Sequence, residues 1–96
     1  MDGRRARDAL TLVHAEIDEG HRNFVVDLGE VEFIDSSGLG TLVRMLRAAE
    51  EAGGGLCLAR PTARVRGVLE ATLLDSVLRS HDDVDEAIAG AASTTE

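Results

Sequence analysis

Aromatic residues are nearly absent from this chain of 96 residues, which has no Trp, no Tyr and two Phe. The core of a single small domain must therefore be built from Leu, Val, Ile and Ala. Basic residues are also few, with 10 Lys and Arg against 18 Asp and Glu and a net charge of −8. We therefore expect no nucleic-acid partner, because a nucleic-acid groove requires clustered basic side chains.

Cysteine occurs once, as Cys57 between two leucines. One cysteine permits no internal disulfide, so the chain fits a reducing cytoplasm, where we expect it to reside. Its apolar neighbours predict a small buried core residue rather than a redox centre. No apolar stretch approaches the ~20 residues of a membrane span. The charged residues 1–7 are not followed by the apolar segment of a signal peptide.

Hydrophobic spacing predicts helices and strands in alternation. In the first helix, Ala6, Leu10, Val13 and Ile17 form one apolar stripe. The predicted elements are a helix over Arg4–Glu19, a strand over Phe24–Leu28, a helix over Ser36–Ala52, a strand over Leu56–Ala59, a helix that opens at 60–62, a strand over Ser76–Arg79, and a helix capped by Asp82 or Asp83. This order indicates an α/β fold with a small, mostly parallel sheet of three strands and four helices. We expect one domain over residues 1–90 and a flexible tail over 91–96.

The first predicted strand, Phe24–Leu28, is almost continuously apolar. In a sheet of three strands it could lie at an exposed edge, where its unpaired backbone groups would invite another chain. A homodimer formed through this edge is therefore one expected assembly.

Enzymatic signatures are weak. His14, His21 and His81 do not have metal-ligand spacing, and Ser36 is not in a Gly-x-Ser-x-Gly elbow. The pair Gly38 and Gly40 lacks the third glycine of a dinucleotide fingerprint. We therefore expect no catalytic residues, no metal and no cofactor; an enzyme that uses Ser36 as nucleophile remains the rival class.

The central motif is Asp35-Ser36-Ser37, at the point where an apolar loop becomes a helix. Asp and Ser are residue types that cap helix N-termini, where backbone amides are unpaired. One of them would be enough to cap the helix, so the additional hydroxyl suggests a second role.

Residues 27–40, with the sequence Asp-Leu-Gly-Glu-Val-Glu-Phe-Ile-Asp-Ser-Ser-Gly-Leu-Gly, closely resemble the hallmark of STAS domains, and more narrowly that of the bacterial anti-sigma factor antagonists. The resemblance extends over residues 5–90. It implies a non-catalytic protein that regulates transcription by partner switching. The unphosphorylated form would bind an anti-sigma factor that is also a serine kinase, and a metal-dependent phosphatase would reverse the phosphorylation.

By position, the resemblance makes Ser36 the phosphate acceptor, since it directly follows the motif aspartate. The partner-binding residues would be Asp35, Ser36, Ser37, Gly38 and Leu39. An alternative within the same family is a STAS subunit of a transporter or signalling complex that docks without phosphorylation. The intact Asp35-Ser36 pair favours the antagonist.

Two features depart from the family. Members usually have two strands before the first helix, whereas this chain begins almost at that helix, so we expect the domain to lack the N-terminal strand pair. The third helix ends in Thr72-Leu73-Leu74, where the family often places Gly before the Leu, and we expect an altered turn there.

Overall fold

Helices and strands alternate along residues 3–93, which are the residues that the computed structural model describes. The helices are α1 (Gly3–Asp18), α2 (Ser36–Glu51), α3 (Ala63–Ala71) and α4 (Val84–Ser93), and the strands are β1 (Asn23–Asp27), β2 (Gly55–Ala59) and β3 (Ser80–His81). The strand order is β1-β2-β3, and both pairings are parallel. The predicted α/β fold with three strands and four helices is confirmed.

Side chains that alternate along β1 and β2 divide the interior into two apolar layers. On one face, Phe24 and Val26 of β1 and Leu56 and Leu58 of β2 pack with apolar residues of α1, α2 and α3. On the other face, Val25, Cys57 and Ala59 pack with Ala87 and Ala91 of α4. Cys57 is fully buried, as predicted, and this burial raises the pKa of its thiol.

Helix α2 is the central helix of the larger layer. Leu42, Met45 and Ala49 are buried along one side, while Arg44 and Arg47 are exposed on the other. This distribution is the amphipathic pattern expected from the sequence.

The glycines after α2 make a tight connection into β2. Gly53 has φ +89°, and a Cβ placed on Gly54 would lie 1.6 Å from the carbonyl oxygen of Arg22. Only glycine fits at position 54, because the two backbones approach so closely.

The predicted third strand is wrong in position. Residues Leu74–Ser76 form a short 3₁₀ helix, and the amides of Val77 and Leu78 both donate to the carbonyl of Leu74. These two amides are thus bonded within the turn. The pairing with β2 begins only at Arg79, whose carbonyl accepts from Leu58 N at 2.8 Å. Leu78 has the apolar character that suggested a strand, and it is buried in the core although it lies in a turn.

Polar side chains bond to the backbone at the C-terminal end of α3 and at the start of α4. Thr72 is the exposed C-cap residue of α3, and its hydroxyl donates to the carbonyl of Val68. Helix α4 begins after Asp83, whose Oδ1 accepts from Glu86 N at 2.7 Å. Of the two residues predicted as the cap, Asp82 and Asp83, it is therefore Asp83 that caps the helix. The helix continues to Ser93 with Ala91 buried, so it overlaps the predicted tail; residues 94–96 lie outside the described part.

Strand β1 lies at the edge of the sheet. The carbonyl of Arg22 and the amide of Leu28 both bond to β2, so by alternation Asn23, Val25 and Asp27 direct their backbone groups outward. Among residues 3–93 no strand covers this side, and the homodimer stays a prediction. None of the described helices has the length and apolar character that a membrane span requires.

Candidate functional site

The loop over residues 28–35 carries the central motif, and it is fixed at both ends. Leu28 and Ile34 are buried in the main core, with 0% and 6% of their surfaces exposed. The amide of Leu28 donates to the carbonyl of Ala59, and the carbonyl of Val31 accepts from the Thr62 hydroxyl at 3.2 Å. The loop is therefore held by the core and by Thr62, which is the N-cap residue of α3.

An ion pair holds the start of the same loop. Arg60 donates to both carboxylate oxygens of Asp27, at 3.0 Å from Nε and 2.6 Å from Nη2. The amide of Gly29 donates to the same carboxylate at 2.9 Å. These hydrogen bonds, that from Arg60 first, lower the pKa of Asp27 below its ordinary value, and the pairing raises the pKa of Arg60. A Cβ at Gly29 would lie 2.6 Å from the Arg60 guanidinium carbon, so a side chain there would displace the ion-paired guanidinium.

Asp35 caps α2, as predicted. It has an extended backbone, with φ −94° and ψ 177°, and its Oδ1 accepts from Gly38 N at 2.8 Å. One turn later, the hydroxyl of Thr41 donates to the carbonyl of Ser37 at 2.9 Å. The first turn of α2 is therefore ordered without any hydrogen bond from the hydroxyl of Ser36 or Ser37 being required.

The five residues of the predicted contact surface divide into two groups. Asp35, Ser36 and Ser37 are exposed, whereas Gly38 and Leu39 are buried. Leu39 has 7% of its surface exposed and belongs to the main core. The structure thus brings the five together, with an acidic group and two hydroxyls outward and an apolar anchor beneath them.

Three further residues border this surface and were not assigned to it from the sequence. Phe33 is 56% exposed, just before the motif. Arg7 of α1 and Arg44 of α2 line a pocket together with Ser36 and Ser37. The position of Arg44, seven residues after Ser37 and hence on the same face of a helix, could have indicated its place. Arg7 could not be placed there without knowing how α1 packs on α2.

A possible metal-binding cluster lies elsewhere. Among residues 3–93, a group of Glu16, Glu19 and His21 at the end of α1 has ligand atoms within 4.8 Å of one another. Nε2 of His21 lies 3.5 Å from Oε2 of Glu16. These side chains are mostly exposed, and an exposed acidic cluster is ordinary at a protein surface, so it does not identify a metal site.

Comparisons with known proteins relate the whole fold to one family. A family model described as the STAS domain matches residues 1–87. A Thermotoga neapolitana protein named as a candidate anti-sigma factor antagonist is 35% identical over 72 residues, which cover 75% of this chain and 64% of that protein. A Thermotoga maritima protein of the same description is 33% identical with the same coverage. The match thus spans less than two thirds of the length of these relatives.

Solved structures give the same relation in three dimensions. The chain is similar to the crystal structure of TM1081, a candidate anti-sigma factor antagonist from Thermotoga maritima, with a TM-score of 0.81 and 30% identity over 92% of this chain and 76% of that one. The NMR structure of TM1081 gives a TM-score of 0.82, again with 30% identity, over 92% of this chain and 71% of that one.

Proposed function

The chain belongs to the STAS domain family, and from that premise we propose that it is an anti-sigma factor antagonist controlled by phosphorylation of Ser36. It acts as a non-enzymatic binding module in the cytoplasm, where it sequesters an anti-sigma factor that is also a serine kinase. Phosphorylation by that kinase releases the complex, and a metal-dependent phosphatase restores it. The observation that carries the proposal is the exposed Ser36, directly after a capping aspartate on an anchored loop.

Accessibility supports Ser36 as an acceptor. A kinase must bring the γ-phosphate in line with the attacking hydroxyl oxygen, and Ser36 is exposed at the first position of α2. Its neighbours fix the backbone, through the Asp35 cap and the buried Leu39. The acceptor is therefore presented on an ordered backbone rather than on a loose loop.

The same geometry lets a phosphate switch binding without melting the fold. A phosphoserine adds a charge of about −1.5 to −2 and three acceptor oxygens. Because Ser36 is exposed, this group displaces no core residue. In a complex, however, a partner that covers Ser36 must bury the added charge or move away. A loss of about 3 kcal/mol in binding free energy weakens the affinity more than a hundredfold.

The proposed contact surface is formed by Asp35, Ser36 and Ser37, with Gly38 and Leu39 supporting it from below. Phe33 adds an exposed aromatic ring beside it. Buried aromatic rings often dominate the free energy of protein–protein binding. We therefore include Phe33 in the surface that contacts the anti-sigma factor.

Phosphorylation is tested by incubating the chain with ATP and the anti-sigma factor kinase proposed as its partner, followed by mass spectrometry. We expect one phosphate on Ser36, lost in Ser36→Ala and retained in Ser37→Ala. Binding is tested with Ser36→Asp in a pull-down against the same kinase, with circular dichroism as the check on folding. The exposed Ser76 provides the control, since Ser76→Asp adds the same charge elsewhere.

We expect Ser36→Asp to lose binding with an unchanged spectrum and Ser76→Asp to bind normally. Absence of phosphate, together with stable binding to a transporter or another signalling complex, would support the non-phosphorylated STAS subunit instead. Phosphate found only on Ser37 would also contradict the proposal.

A further inference from the structure

A pocket of about 320 Å³ opens beside the two motif serines. Its lining comes from two helices, with Arg7 from α1 and the remaining residues from α2: Ser36, Ser37, Gly40, Thr41 and Arg44. None of these described lining residues is acidic, in a chain whose net charge is −8. Two arginines thus line the same pocket as the serine that the proposed switch would modify.

Both arginines line the same pocket as the two motif serines, one from each helix. Arg44 lies two turns after Ser37 on the same face of α2, and helical side chains lean toward the helix N-terminus. Arg7 follows Ala6, which is fully buried, so the adjoining turn of α1 is packed into the protein. Arg7 and Arg44 are both exposed, so solvent reaches the pocket from both helices.

Gly40 lines the same pocket without contributing a side chain. A Cβ built on Gly40 has no heavy atom within 4 Å, so packing does not require glycine there. In the interior of a helix, glycine is destabilising relative to alanine. The residue therefore weakens α2 while leaving the pocket between the serines and Arg44 unfilled.

We propose that Arg7 and Arg44 bind the phosphate group of phosphorylated Ser36 in this pocket. Guanidinium groups suit this role, because their planar donors match phosphate oxygens in pairs. The phosphorylated domain then has its new charge paired internally, and both arginines are removed from the surface offered to a partner. This inference rests on the phosphorylation proposed above, but the pocket can be tested without the kinase.

The test uses phosphoserine installed at position 36 during translation, so that a failure of the kinase reaction and a failure of the pocket are distinguished. Phosphorus NMR follows the second ionisation of the phosphate as pH is varied. Free phosphoserine has its second pKa near about 6. Two guanidinium groups favour the dianion, and we expect the pKa to fall by roughly half a unit for each arginine.

Arg7→Gln and Arg44→Gln remove the charges one at a time, and each should return about half of the shift. Arg47→Gln is the matched control, since Arg47 is exposed on α2 but does not line the pocket. Circular dichroism confirms that the variants are folded. A wild-type pKa equal to that of a phosphoserine peptide, or a shift unaffected by both pocket variants, would overturn the proposal.

Discussion

Asp35 provides a test that separates structural support from recognition. Its Oδ1 accepts from Gly38 N at 2.8 Å, and its exposed carboxylate also lies beside Ser36. Asp35→Ala removes both the hydrogen-bond acceptor and the charge. Asp35→Asn keeps an acceptor at the cap and removes only the charge, because Asn caps helices as well as Asp does.

The two variants should differ in stability. Loss of the cap and of the favourable charge at the helix N-terminus should cost Asp35→Ala about 1–2 kcal/mol. Asp35→Asn loses only the charge, which is worth about 0.5 kcal/mol. For a domain of this size, each 1 kcal/mol lowers the Tm by about 4–8 °C. Thermal and urea unfolding should therefore rank the chains as wild type, then Asn, then Ala.

Binding to the anti-sigma factor should follow a different order. A hydrogen bond to a charged group contributes about 1.5–3 kcal/mol, so we expect Asp35→Asn to bind at least about tenfold more weakly although it is nearly as stable. Titration calorimetry measures this directly. Asp83, which caps α4 with an equivalent bond to Glu86 N, supplies the control: Asp83→Asn should not affect binding.

Two results would refute this reasoning. If Asp35→Ala were as stable as the wild type, the cap would make no contribution to the fold. If Asp35→Asn bound with wild-type affinity, Asp35 would be a cap only, and its place in the contact surface would be lost.

Three further predictions concern the fold. Leu73 is 76% exposed and has φ +62°. Leu73→Gly should melt at a higher temperature than Leu73→Ala, because glycine relieves about 1 kcal/mol of left-handed strain and so reverses the usual preference for alanine. A more stable alanine variant would contradict this. In the folded chain the pKa of Asp27 is below its ordinary 3.8, so the stabilisation that Asp27 contributes is full above that value and disappears as pH falls through the folded-state pKa. Asp27→Asn should therefore be less stable than the wild type in urea unfolding at pH 7, and this difference should shrink in acid. A difference independent of pH would count against the ion pair. The open edge of β1 predicts self-association in sedimentation velocity, weakened in Asn23→Pro because proline removes an outward amide; a monomer at all concentrations would exclude the homodimer.

Helix α2 and its cap were predictable because the information is local. The apolar spacing of Leu39, Leu42 and Leu46 indicates one buried face, and Asp35 immediately precedes it. Both features act within a few residues of the chain. The position of Asp35 and Ser36 at the start of α2 could therefore be predicted from the sequence, and Ser36 is exposed there.

The third strand could not be placed in the same way. Its apolar pair, Val77 and Leu78, has the composition of a strand, but Leu73 adopts a left-handed conformation that starts a 3₁₀ helix instead. The sequence already departs from the family at Leu73, and this indicated an altered turn without specifying its form. The pairing at Arg79–His81 depends on the position of β2, which is a tertiary property.

Arg7 was missed for a similar reason. It is 29 residues before Ser36, and only the packing of α1 on α2 brings both to one pocket. Local patterns do not contain that relation. The family resemblance, in contrast, depends on fourteen consecutive residues, 27–40, and was available from the sequence alone.

The most direct test of the proposed switch is the affinity of the chain for the anti-sigma factor kinase proposed as its partner, measured by calorimetry with and without phosphoserine at position 36. We predict that phosphorylation weakens binding more than about a hundredfold, while circular dichroism shows the same fold. Equal affinity of the two forms would contradict the central claim.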